Sequence, residues 1–206
     1  MAIYKAGNKI FGNISVQSAN LISPIIGYGR LDDTIAMNSF YGYVLPFWTN
    51  VAKTIATVKY EVTTAATQTN TPTLEIAAYN SHPDYIQPTT QITNSYVSGL
   101  STASTGVKSA SFASSWILPV GLTLLVVKTY LATGSNSDFG IRSFNQQSQS
   151  FMGQFAGFKS PIAQYNTAGW IQLSPGNSAH LSTDFTSSAD GRGGNSQSAL
   201  GFFLGQ

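Results

Sequence analysis

The sequence predicts an all-β chain folded as an antiparallel β-sandwich, and three observations carry that prediction. From Ala56 to Val62 apolar and polar residues alternate, with Ala56, Val58, Tyr60 and Val62 on one side and Thr57, Lys59, Glu61 and Thr63 on the other. A period of two marks a half-buried strand. The run from Trp116 to Leu131, WILPVGLTLLVVKTYL, turns at Pro119 to Gly121 and is then apolar on both faces, with Leu122, Leu124 and Val126 opposite Leu125, Val127 and Leu131. That is the pattern of a strand in the middle of a covered sheet. Helical spacing of apolar residues never persists beyond two turns, which leaves the core to strands.

The elements follow in order. Residues 1 to 26 scatter Ile10, Phe11, Ile14, Val16, Leu21 and Ile25 among Gly, Asn and Ser. They are read as an extended N-terminal arm, with a first strand of the same sandwich as the other possibility; residues 27 to 206 form a single β-sandwich domain with long loops. Gly27 to Arg30 is a turn. Leu31 to Asn38 holds the adjacent acids Asp32 and Asp33, but no third oxygen ligand follows at loop spacing, so turn or cap duty is expected and calcium is not. Tyr41 to Trp48 is an aromatic strand whose Pro46 belongs at an edge or a strand end, because proline cannot donate to a ladder.

Beyond Val62, the polar cluster from Thr67 to Pro72 breaks the alternation, and Thr73 to Tyr79 starts a second one with Leu74, Ile76 and Ala78 inside. The two strands are expected to pair as a hairpin across that loop. Asn80 to Pro88 is a proline-rich turn containing His82, Asp84 and Tyr85, and strands follow at Ile92 to Val97 and Val107 to Ala113. Ser143 to Tyr165 spaces Phe151, Phe155 and Phe158 helically, yet Gly153 and Gly157 stand between them, so a long ordered loop is expected. Trp170 to Leu173 is a short strand, Ser182 to Ser198 a Gly, Ser and Asn loop, and Leu200 to Leu204 a closing strand.

Composition narrows the functional classes. Only 9% of the 206 residues are charged, against about 25% in an ordinary soluble domain, so the surface is neutral and rich in hydroxyl and amide groups. The 10 Lys and Arg are spread singly, which leaves no basic stripe for a phosphate backbone and argues against nucleic acid as a partner. Cysteine is absent, excluding disulfides and thiolate metal sites. The start, MAIYKAGNKIFGNIS, lacks the apolar core of a secretory signal, and the run from Ile117 to Val127 is too short to span a bilayer as a helix. A soluble protein made in the cytoplasm, without a membrane partner, is expected.

Four elements together resemble a domain found at the ends of bacteriophage tail and virion proteins. They are the strand before Val62-Thr63-Thr64-Ala65-Ala66, the strand Leu74-Glu75-Ile76-Ala77-Ala78-Tyr79, the strand opening Thr105-Gly106-Val107-Lys108, and Leu118-Pro119-Val120-Gly121-Leu122. The resemblance covers roughly residues 27 to 140. It implies a jelly-roll-like sandwich with a structural or host-recognition role on a virion, commonly as a trimer; the arm is expected to dock the domain to other virion proteins. The family pattern brings no catalytic residues.

The residues themselves point away from catalysis. Eight carboxylates include no adjacent pair beyond Asp32 and Asp33, and His82 and His180 lie in polar turns without a nucleophile motif. Neither an enzyme, a metal nor a cofactor is expected. Tyr85, Phe151, Phe155 and Trp170 sit among amide and hydroxyl residues, the chemistry that binds a host surface glycan; the competing reading buries the same rings in the core or a subunit contact. The expectation is therefore a short tail-fibre or baseplate component acting in host attachment, with a capsid decoration protein as the alternative.

Overall fold

The computed structural model describes residues 21–24, 31–37, 41–67, 71–82, 88–131, 139–144, 169–172, 180–185 and 199–206, and these contain strands and turns but no helix. The turn at Gly27 to Arg30, Tyr85, and almost all of the loop from Ser143 to Tyr165 lie outside the described residues.

Two antiparallel sheets face each other. The first contains β1 (Leu21–Ile22), β2 (Leu31–Ala36), β4 (Lys53–Thr64), β8 (Gly106–Leu118), β10 (Gly140–Phe144), β12 (Ala199–Leu200) and β13 (Phe203–Gly205). The second contains β3 (Tyr41–Thr49), β5 (Thr73–Ser81), β6 (Pro88–Gln91), β7 (Val97–Ser101), β9 (Gly121–Tyr130) and β11 (Gly169–Gln172). The sandwich expected from the alternating patterns is the fold observed.

Within β4 the alternation does what it predicts, for Val58, Tyr60 and Val62 are buried. The inner face changes phase where the pairing with β8 shifts between Ile55 and Thr57. Ile55 is therefore buried while Ala56, its predicted inner neighbour, is only half-buried. A bulge shifts which parity of residue faces the core. β9 lies between β3 and β5, and its residues from Thr123 to Thr129 are all buried, as its two apolar faces require.

The expected hairpin does not form. β4 belongs to the first sheet and β5 to the second, so the connection between them passes from one sheet to the other, an arch rather than a hairpin. Thr102 holds both feet of the arch: its carbonyl accepts from Ala66 N at 3.0 Å, and its hydroxyl donates to Pro72 O. Val58, Tyr60 and Val62 then meet Leu74, Ile76 and Ala78 face to face in one core rather than edge to edge in one ladder. Tyr60 completes the join, donating its hydroxyl to Ser101 O of the opposite sheet at 3.0 Å while its ring stacks on Phe202.

Other expectations shift locally. Asp32 and Asp33 are neither turn nor cap residues: they lie in β2, which pairs with β10. Residues 92 to 96 form a tight turn with Asn94 at a φ of 64°, so the strand expected from Ile92 begins only at Val97. Pro46 lies inside β3, but β11 reaches only to Val44, so among the described residues the strand at Pro46 has a ladder partner on one side only, β9. The closing strand is split into β12 and β13. Its two halves fill the gap where β10 and β4 part, β12 bonding β10 and β13 bonding β4. Leu21 and Ile22, inside the segment read as an arm, pair with Gly205 and Leu204.

Candidate functional site

The outer face of the second sheet carries a polar cluster that the sequence does not announce. Glu75 in β5 and Lys128 in β9 stand directly opposite in the ladder, and both are buried, at 1% and 0% exposure. Each sits on the outward parity of its strand, beside Ala77 and Tyr79 or Leu124 and Val126. That parity would normally meet solvent. It is covered instead by residues 180–185, whose Leu181 and Phe185 pack with Val44, Ala77, Tyr79, Leu124 and Val126 in a second apolar cluster.

Glu75 ties this covering segment down with both carboxylate oxygens. Oε2 accepts from the backbone N–H of Leu181 at 3.0 Å, and Oε1 accepts from the Tyr96 hydroxyl at 3.2 Å. Oε1 also accepts from Nδ1 of His180. A carboxylate oxygen accepts, so Nδ1 is the donor of this bond. Further along, Tyr79 donates to Ser182 O at 2.6 Å, Gln91 N to Thr183 O at 2.9 Å and Phe185 N to Thr89 O at 2.9 Å.

The His180 ring lies flat on Tyr130, with centroids 4.6 Å apart and planes within 4°. Its side chain is nevertheless 64% exposed. A histidine is thus fixed at the surface by a buried carboxylate beneath one edge and a tyrosine ring beneath one face. Lys128 Nζ lies 5.8 Å from the Tyr130 centroid. Burial lowers the Lys128 pKa, opposed by the negative charge of Glu75. Burial also raises the hydroxyls of Tyr79 and Tyr96; the Glu75 charge adds to both, whereas a hydrogen bond with Ser98 works against the rise at Tyr96.

Chemically, the arrangement offers an exposed imidazole beside the Tyr96 hydroxyl. A planar ring beside oriented polar atoms suits a hydroxylated ligand. Among the described residues no group of three His, Cys, Asp or Glu is placed to hold a metal ion.

Of the residues nominated from sequence, Tyr85, Phe151 and Phe155 lie outside the described residues. The Trp170 backbone belongs to β11, opposite Tyr43 at the edge of the second sheet. His180, Tyr130, Tyr96 and Glu75 were missed. The usable signal was a single charge at the outer parity of each of two otherwise apolar strands, Glu75 and Lys128, since a charge is buried only when partnered. No protein-family model, curated protein or solved structure matches this chain.

Proposed function

We propose that this chain is a structural protein of a bacteriophage virion, a short tail-fibre or baseplate component that binds a host surface glycan and performs no catalysis. The observation that carries the reading is the His180 platform, a surface ring held rigid by the buried Glu75 and stacked on Tyr130. Rigid aromatic surfaces bind sugar rings with little ordering cost. Support also comes from the segments that carry the phage resemblance: they end β4, form β5, open β8 and join β8 to β9, and so build the framework of both sheets. A trimer docked through residues 1 to 26 fits the same reading.

Two measurements test it. Immunogold labelling of intact virions with an antibody to this chain is expected to place gold at the tail end; gold over the head would instead make it a decoration protein, and unlabelled particles would overturn the virion reading. Fluorescently labelled protein is expected to bind host cells, with His180→Ala weakening that binding at least tenfold while the folded circular dichroism spectrum is kept. Undiminished binding by the variant would remove the platform from the receptor site.

A further inference from the structure

One end of the sandwich is apolar where it meets solvent. Six large hydrophobic side chains are exposed among the described residues, and four of them, Trp48, Val51, Ile117 and Val120, lie on or beside the two connections at that end. One connection joins β3 to β4 and the other joins β8 to β9. They are fastened together where the Thr49 hydroxyl donates to Pro119 O at 2.8 Å. Val51 is 57% and Val120 63% exposed, although neither turn geometry nor the ladder requires an apolar residue there. A grouping of this kind marks a contact surface.

The strand registers show which chain segment arrives at this end. Leu21 pairs with Gly205, and Gly205 pairs with Thr57. Two antiparallel steps make β1 run in the same direction as β4. The start of β1 therefore points along β4 toward Ile55, Thr54 and Lys53, whose neighbours in β8 include Leu118 and Ile117, the partners of Lys53 and Thr54. From Leu21 the remaining distance is about four residues along the strand and three strands across. At about 3.3 Å per residue and 4.8 Å per strand this is roughly 19 Å, a span that about six extended residues cover. Ile14 is then the first large apolar residue able to reach the end beyond that span, with Phe11 and Ile10 close behind.

We propose that this apolar end is the docking site for the chain's own N-terminal segment, with Ile10, Phe11 and Ile14 covering Val51, Ile117 and Val120. The tether favours the cis contact, because a short linker of matching length holds its ligand at an effective concentration in the millimolar range. The proposal is independent of the glycan platform, which lies on the outer face of the second sheet.

A photo-crosslinking residue, p-benzoylphenylalanine, placed at Val120 in the full-length chain tests this. Val120 is in an exposed turn, so the replacement leaves the core intact. The expected product runs at monomer size and maps by mass spectrometry to residues 10–16. A dimer-sized product, a product mapping elsewhere, or no N-terminal product overturns the proposal. As a second measurement, the double variant Phe11→Asp with Ile14→Asp is expected to raise amide exchange in peptides spanning residues 50–52 and 117–121 at least fivefold; unchanged exchange also overturns it.

Discussion

Two glutamates, one on the outer face of each sheet, are held in opposite ways. Glu61 projects from β4 and makes a two-pronged pair with Arg142 of β10, Nε to Oε2 and Nη2 to Oε1 both at 2.9 Å. Both side chains remain partly exposed, at 30% and 27%. Glu75 in β5 is buried at 1% and gathers donors from His180, Tyr96 and Leu181 beside a buried Lys128. The first pair exchanges water for a partner at little net gain. The second cannot lose its acceptor without depriving three donors of their partner, the buried Leu181 N–H among them. Equal chemistry therefore has unequal structural weight, and burial makes the difference.

The comparison breaks first, if it breaks, at Glu75. Glu75→Ala is expected to destabilise the fold by about 1–3 kcal/mol, the cost of leaving buried donors without their acceptor, and to free the segment around Leu181. Denaturant unfolding measures the loss, and proteolysis near His180 reports the release. A change under 1 kcal/mol would show that Lys128 and the donors find other acceptors.

A smaller effect is expected in alkali. Burial pushes the Tyr60 hydroxyl up from 10.0 to about 12. A phenol whose folded value is raised stabilises the fold fully below its unfolded value and loses that contribution as pH climbs through the folded one. Stability should hold to about pH 10 and fall between there and about 12, with tyrosinate absorbance and circular dichroism changing together. Ionisation of every tyrosine near pH 10 in a chain that stays folded would contradict the burial of Tyr60.

The smallest effect belongs to Glu61. The Arg142 hydrogen bond holds its carboxyl below the ordinary 4.5, against a weaker opposing effect of burial. Its contribution is present above pH 4.5 and is lost as pH falls through the depressed value. Glu61→Gln should lower the melting temperature only slightly at pH 7, and the difference should shrink in 1 M salt and vanish in acid. A loss matching that of Glu75→Ala would sharpen the comparison into a different one, in which strand pairing and not burial sets the weight.

The candidate site was legible in part. Glu75 and Lys128 are visible as charges inside apolar runs, but His180 lies 105 residues from Glu75 and stands in a polar stretch that looks like any loop. Its role depends on a segment crossing the outer face of β5 and β9, and no local pattern reports such a crossing. The same limit explains the failed hairpin. The alternation from Val58 to Val62 and the one around Ile76 identify two inner faces correctly, although the first loses phase at Ala56, yet a polar connection of that length serves a hairpin and an arch between sheets equally well.

The sequence by itself determined which residues face inward and which strand is covered on both sides. Those properties follow from side-chain period and apolar content, read over a few residues at a time. Only the tertiary structure decided that β4 and β5 oppose each other across the core, and that Glu75 meets His180 beneath a covering segment. Both depend on contacts between parts of the chain far apart in sequence, whose partners are selected by the joint packing of two sheets.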